Sequence, residues 1–141
     1  MRQGFLGQFL PHDLIDQTSM LLARTLAFTA LCSVVIGLYS CIKWARLGNE
    51  ALMYGSLLLL LGMPLTLLVL RSAVLPLTVA TNMALACMAS YSMLLIYQLG
   101  GLHSAHIYWP VVVIVFAYLL AGTRSAMAWS LVQVLFVFWL I

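Results

Sequence analysis

Five long apolar stretches occupy most of this 141-residue chain. A helix that crosses the roughly 30 Å hydrocarbon core of a bilayer needs about 20 residues, because each residue adds about 1.5 Å. The stretches therefore predict an all-α fold, a polytopic transmembrane helical bundle with about five spans. We place these spans at residues 19–45, 51–70, 74–99, 107–122 and 125–141.

Composition supports the membrane class. Hydrophobic residues make up 65% of the chain and charged residues only 6%, whereas about a quarter of the residues in a soluble domain are charged. The three acidic residues, Asp13, Asp16 and Glu50, lie outside the apolar stretches. The segments between spans are short, so the sequence predicts one transmembrane domain over residues 19–141 with no extramembrane domain inserted.

The first 18 residues have a pattern of their own. Apolar residues recur at helical spacing between Phe5 and Ile15, and polar residues take the other positions. This pattern predicts an amphipathic segment over residues 1–18 that lies in the cytoplasmic membrane interface. An ordinary polar lead-in to the first span is an equally good interpretation. No secretory cleavage site follows, so we expect the segment to remain in the mature protein.

Basic residues divide unequally between the two predicted sides of the membrane. Arg2, Arg24, Arg71 and Arg124 fall on one side, and Lys43 and Arg46 fall on the other. Because the side richer in Lys and Arg usually faces the cytoplasm, we expect a cytoplasmic N-terminus. Five spans then end outside, so we expect a sixth span after residue 141.

Two amides lie inside the predicted spans. Asn82 and Gln133 are each about eight residues, or roughly 12 Å of helix, from the predicted cytoplasmic ends of spans three and five. Two amides at matched depth can hydrogen-bond to each other instead of facing lipid. The sequence therefore predicts an interhelical polar contact between Asn82 and Gln133, direct or through one water, with a ligand contact as the alternative. Small residues four apart, such as Ala80 and Ala84, predict close helix packing.

A Gly-Gly turn separates the third and fourth predicted spans. Gly100 and Gly101 end one span, and Ser104 can cap the next. Polar and aromatic side chains gather near this turn: Gln98, His103, Ser104, His106, Tyr91, Tyr97 and Trp109. They predict either an interfacial aromatic belt or the wall of an amphiphile-binding pocket. In the second interpretation the glycine pair is a hinge.

Cofactor and catalytic chemistry find little support in the sequence. His103 and His106 are three residues apart, a spacing that can place two imidazoles on one face for a metal or haem. No third ligand lies near them, so interfacial histidines are the preferred interpretation, and we expect no metal or cofactor. The odd number of cysteines argues against a disulfide framework. No phosphate-binding glycine loop, catalytic triad or nucleic-acid-binding patch is visible, so no catalytic residue is assigned.

Three short motifs resemble a known class of membrane domain. Gly100-Gly101-Leu102-x-Ser104 is followed by Tyr108-Trp109-Pro110 and then by Gly122-x-Arg124. This series resembles the five- to six-helix N-terminal sensor domains of bacterial hybrid histidine kinases, and the diffusible fatty-acid sensors are broadly similar. Related membrane inputs also precede diguanylate cyclases. The likeness covers residues 20–141 and departs from the family at Ala105, where a proline is frequent.

The resemblance implies a sensory input domain in the bacterial cytoplasmic (inner) membrane. Such a domain would work as a homodimer, detect a hydrophobic or membrane-associated signal such as a lipid-like or quinone-like molecule, and pass it to a histidine kinase outside this chain. A small transporter or channel is the alternative, although only Arg24 approaches an ionisable group within a span. A structural or cofactor-bearing subunit of a larger membrane complex is a third possibility.

Overall fold

Four long α-helices dominate the computed structural model, which describes residues 17–72 and 75–140. They are α1 (Gln17–Arg46), α2 (Glu50–Ser72), α3 (Leu77–Gln98) and α4 (Trp109–Leu140). Two short 3-10 turns, Gly101–His103 and Ala105–Tyr108, connect α3 to α4. The described residues form helices and turns and no strand, which confirms the all-α class. All four helices are long and apolar enough to cross a membrane. The predicted interfacial segment lies almost wholly outside the described residues.

α1 and α2 form an antiparallel pair joined by a tight turn. Gly48 has a positive φ of 70°, as its position after α1 predicts. The Asn49 side chain accepts a hydrogen bond at 3.1 Å from the backbone N–H of Leu52, so Asn49 caps α2. Further along the pair, a Cβ atom on Gly37 would lie 3.2 Å from the backbone nitrogen of Leu60. The two helices therefore pack closely because Gly37 has no side chain.

α2 and α3 also approach closely through glycines. A Cβ atom on Gly62 would lie 2.5 Å from Cys87 Sγ. Two helical turns earlier on α2, a Cβ atom on Gly55 would collide with the Leu94 side chain. These contacts show that α2 and α3 run antiparallel, since the residue number falls on α3 as it rises on α2.

The main buried cluster lies where α1, α2 and α3 meet. Ala80 and Ala84 are fully or almost fully buried in it, which confirms the predicted small-residue stripe on α3. Large apolar side chains are instead exposed on the outer faces, including Leu61, Leu68 and Leu119. An exposed apolar surface of this extent is unusual for a soluble monomer and suits contact with lipid.

α4 is interrupted at Gly122, whose backbone angles are φ 81° and ψ −178°. This region of conformational space is essentially restricted to glycine. We call residues 109–121 the first arm of α4 and residues 123–140 the second arm. Ile114 of the first arm and Gln133 of the second arm border the same cavity, although 19 residues of continuous helix would separate them by about 28 Å. The chain therefore folds back at Gly122, and the two arms lie side by side and antiparallel.

The second arm runs parallel to α3. Asn82 contacts Ser125 near the start of both segments, and the rings of Tyr97 and Trp139 lie 5.5 Å apart near their ends. We call the end of the bundle with Arg71 and Gly122 the lower end, and the end with Gly48 and Gly100 the upper end. The sequence predicts separate spans at 107–122 and 125–141. The structure instead has one helical element, Trp109–Leu140, that reverses at Gly122.

Candidate functional site

The Gly-Gly turn lies at the upper end and has the backbone geometry that the sequence predicts. Gly100 and Gly101 have positive φ values of 116° and 59°. No atom lies within 4 Å of a Cβ built on either glycine. Ser104 Oγ accepts a hydrogen bond at 3.1 Å from the backbone N–H of His106. The predicted serine cap is confirmed, although it begins a 3-10 turn rather than α4 itself.

The polar members of the predicted ligand site differ in exposure. Gln98 and His103 are exposed, His106 is partly buried, and Ser104 is buried with its hydroxyl used in the cap. Tyr97 is exposed and packs against Trp139. The ligand-binding role of this group stays a prediction.

Tyr91 and Trp109 border a small cavity of about 70 Å³ inside the bundle. Its other lining residues were not part of the predicted site: Ser33, Ile36, Leu59, Met88, Ser92, Leu95 and Val113. Tyr91 is buried and lines this cavity from α3, whereas Trp109 borders it from α4 and is 39% exposed. A cavity of this volume holds about two water-sized groups at roughly 30 Å³ each, which is too small for a long-chain amphiphile.

Tyr91 also joins three helices through its hydroxyl group. Trp44 Nε1 of α1 approaches Tyr91 Oη at 3.4 Å, and Ser56 Oγ of α2 lies at the same distance. Ser56 donates its only hydroxyl proton to the Leu52 carbonyl at 2.8 Å, so Tyr91 must be the donor to Ser56. The contacts are long but buried. They hold Tyr91 within the core, and the sequence analysis did not identify them.

The Asn82 side chain makes three hydrogen bonds, two to the second arm of α4 and one within its own helix. Its Oδ1 accepts from Ser125 Oγ at 2.8 Å and from Trp129 Nε1 at 3.1 Å. Its Nδ2 donates to the Thr78 carbonyl at 2.8 Å. The predicted interhelical role of Asn82 is therefore confirmed. Both partners on the second arm are residues that the sequence analysis did not connect with it.

The predicted direct hydrogen bond between Asn82 and Gln133 is wrong, since neither amide atom of Gln133 has a partner among the described residues; the water-bridged form stays a prediction. α3 begins at Leu77 rather than near residue 74, so Asn82 lies only five residues into the helix. Gln133 lies eleven residues beyond Gly122. Gln133 is therefore about one to two helical turns closer to the upper end than Asn82 is. The two amides are therefore not at matched depth.

Gln133 remains as a buried side chain without a hydrogen bond. It is 2% exposed, and neither Oε1 nor Nε2 has a partner among the described residues. An unpaired buried amide costs about 1–3 kcal/mol. Gln133 also lines a cavity of about 340 Å³ between the two arms of α4. The sequence identified this residue, but its isolation depends on how the arms pack.

The described residues contain no group of three His, Cys, Asp or Glu side chains that could hold a metal ion. Cys32, Cys41 and Cys87 are free thiols. No family model matches the chain, and no curated protein or solved structure is significantly similar to it. Functional proposals therefore depend on the motifs and on the geometry described above.

Proposed function

We propose that this chain is the membrane-embedded sensory input domain of a two-component histidine kinase in a bacterial cytoplasmic membrane. It detects a hydrophobic or membrane-associated signal and passes it to a cytoplasmic kinase outside this chain. The resemblance of the motifs around Gly100, Trp109 and Gly122 motivates the proposal. The observation that carries it is the joint at Gly122, which connects the second arm of α4 to the bundle through one non-helical residue.

The second arm can act as a movable element because few polar contacts hold it. Asn82 binds it near the lower end, and Tyr97 packs against Trp139 near the upper end. A rotation at Gly122 can change how this arm packs on α3 without breaking a hydrogen bond within either helical arm. A signal molecule shifts the output only if it binds more tightly to one arrangement of the second arm on α3 than to the other.

In the proposed topology both arms of α4 cross the bilayer, which gives five crossings. The antiparallel arms and the parallel course of α3 and the second arm support this count. Arg24, Arg71 and Arg124 then share the lower end, which we assign to the cytoplasm on the basis of the positive-inside rule. A sixth helix would return the chain to the kinase. As in other kinase inputs, the working unit would be a homodimer in the lipid bilayer.

The test is phosphorylation by the complete gene product in native membrane vesicles. Supplied with ATP, it should form an acid-labile phosphohistidine in a segment that follows a sixth span and a dimerisation helix. A stop codon directly after Ile141 would contradict the proposal. So would an inserted, full-length protein that forms no phosphohistidine. A cyclase in place of the kinase would reject the kinase assignment as well.

A further inference from the structure

The cavity between the two arms of α4 has a volume of about 340 Å³ and a nearly uniform apolar wall. Its lining residues are Ile107, Pro110, Val111, Ile114, Gln133, Val134, Val137 and Phe138. Gln133 is the one polar side chain among them. Val111, Val134 and Phe138 are exposed on the outer face of the helices, so the cavity can be reached from the side where lipid chains would lie.

The polar group lies at one end of this cavity. Gln133 and Ile114 are its members nearest to Gly122, and Ile107 and Phe138 lie towards the upper end. Both amide atoms of Gln133 are buried and unpaired within the described part of the chain. Asn82 is a useful contrast, because all its hydrogen bonds are made by protein groups. Gln133 therefore brings an unpaired donor and an unpaired acceptor to the wall of an otherwise apolar cavity. Because both amide atoms are buried, the side chain has to turn towards an occupant to bind it.

We propose that this cavity binds an uncharged apolar molecule that carries a hydroxyl group, with the long-chain alcohols as the simplest members of the class. A hydroxyl can donate to Gln133 Oε1 and accept from Nε2, so one group answers both unpaired atoms. A ligand whose only polar group is a carbonyl could accept a hydrogen bond from Nε2 but would leave Oε1 unpaired. The molecule would bind with its hydroxyl deep between the arms and its apolar chain directed towards the upper end.

The charges near the cavity and its volume restrict the chemical class and the size of the ligand. Arg124 is the basic residue nearest to Gln133 along the second arm, and nine residues, or about 14 Å of helix, separate them. A phosphate or carboxylate head would therefore be buried without a counter-charge, which is strongly unfavourable. The volume corresponds to roughly eleven groups of about 30 Å³, the volume of a water molecule in the liquid. A chain of about that length matches 1-decanol.

Two other occupants fit less well. A buried water usually has two to four polar partners, and in this wall only Gln133 supplies them through its side chain. The acyl chain of a bilayer lipid would fill the apolar part but leave Gln133 unpaired. Binding here would give the proposed sensor a ligand site, but it can be measured on this chain alone and does not require a kinase output.

The experiment uses the purified chain in lipid nanodiscs and a 1-decanol analogue with a diazirine on its alkyl chain. After illumination, mass spectrometry should locate the label on the segments around Val111 and Val137. Excess 1-decanol should compete with the label, whereas decane, which lacks the hydroxyl, should not. Equal competition by decane would show simple filling by hydrocarbon and would overturn the proposal. So would the absence of label on both segments.

Variants separate a hydroxyl site from a general lipid surface. Gln133→Leu should lower the label by about fivefold or more, as expected for the loss of one or two hydrogen bonds. Thr78→Leu, which replaces an exposed hydroxyl group on α3 outside both sites, should not lower the label. If Gln133→Leu does not fold, Ile114→Trp replaces it, because it fills the cavity and leaves the amide in place. Unchanged labelling of a folded Gln133→Leu or Ile114→Trp variant overturns the proposal. Cross-links between two copies at these residues would also overturn it, since a second chain would then occupy the cavity.

Discussion

Asn82 Oδ1 accepts a hydrogen bond from Ser125 Oγ at 2.8 Å, and this contact binds α3 to the second arm of α4. Trp129 Nε1 donates to the same oxygen at 3.1 Å. Two donors from successive turns of one helix meet a single acceptor on the other, so the pair sets the depth and the orientation of the second arm in this packing. Such contacts contribute about 0.6–2 kcal/mol each in membranes.

Replacing Asn82 should loosen the second arm. Asn82→Leu removes the acceptor and leaves the Trp129 N–H unpaired, so we expect the free energy of unfolding to fall by about 1–3 kcal/mol. Thermal unfolding in mild detergent measures the change. Gln98→Leu is the matched control, because it removes an exposed amide on the same helix. Equal stability of Asn82→Leu and the wild type would show that the contact does not hold the arm.

The close packing of α2 on α3 predicts a coupled pair of substitutions. Gly62→Ala places a methyl group 2.5 Å from Cys87 Sγ, so we expect a loss of about 1–3 kcal/mol from overpacking. Cys87→Ala removes the sulfur atom, and the new methyl group would then lie 3.6 Å from Cys87 Cβ, an ordinary contact distance. The double variant should therefore be more stable than Gly62→Ala alone. Additive effects in chemical or thermal unfolding would contradict this close contact.

The proposed topology predicts which engineered cysteines can be labelled from outside the cell. In a chain whose three native cysteines are replaced by alanine, an impermeant maleimide should modify Asn49→Cys at the upper end. It should spare Ser72→Cys and Thr123→Cys, which lie at the lower end, until the membrane is opened. The reverse pattern would invert the orientation. Labelling of Thr123→Cys together with Asn49→Cys would mean that α4 does not cross the bilayer twice.

Helix positions follow from the sequence because each depends on local information. Apolar length predicts α1, α2 and α3 to within a few residues, and the two arms of α4 correspond to the predicted fourth and fifth spans. The positive φ of Gly48 and the cap at Ser104 follow from residue type and position. The partner of Asn82 could not be found in this way. It depends on the tertiary depth of two helices: α3 begins three residues later than predicted and the second arm two residues earlier, and together these shifts moved Asn82 out of register with Gln133.

The hydrogen-bond partners of two other interior polar side chains could not be predicted from the sequence either. The sequence groups Tyr91 with a ligand pocket because tyrosine is common near membrane interfaces, but its hydroxyl is used in contacts to Trp44 and Ser56. Gln133 could be identified as an amide at membrane depth. The sequence predicts a break between residues 122 and 125, but the lack of a partner for Gln133 and the cavity beside it depend on how the two arms of α4 pack.

The most direct test of the sensory proposal is the rate of autophosphorylation of the complete protein in native-lipid vesicles when the upper turn is altered. Gly101→Val places a branched side chain at a positive φ and His103→Ala removes an exposed imidazole beside it. Each should change the rate by about fivefold, which corresponds to about 1 kcal/mol between two packings of the bundle. Gly48→Val strains a comparable turn between α1 and α2 and serves as the control, with a rate close to that of the wild type. If Gly101→Val and His103→Ala both insert normally and leave the rate unchanged, or if Gly48→Val changes it equally, this turn does not control a kinase.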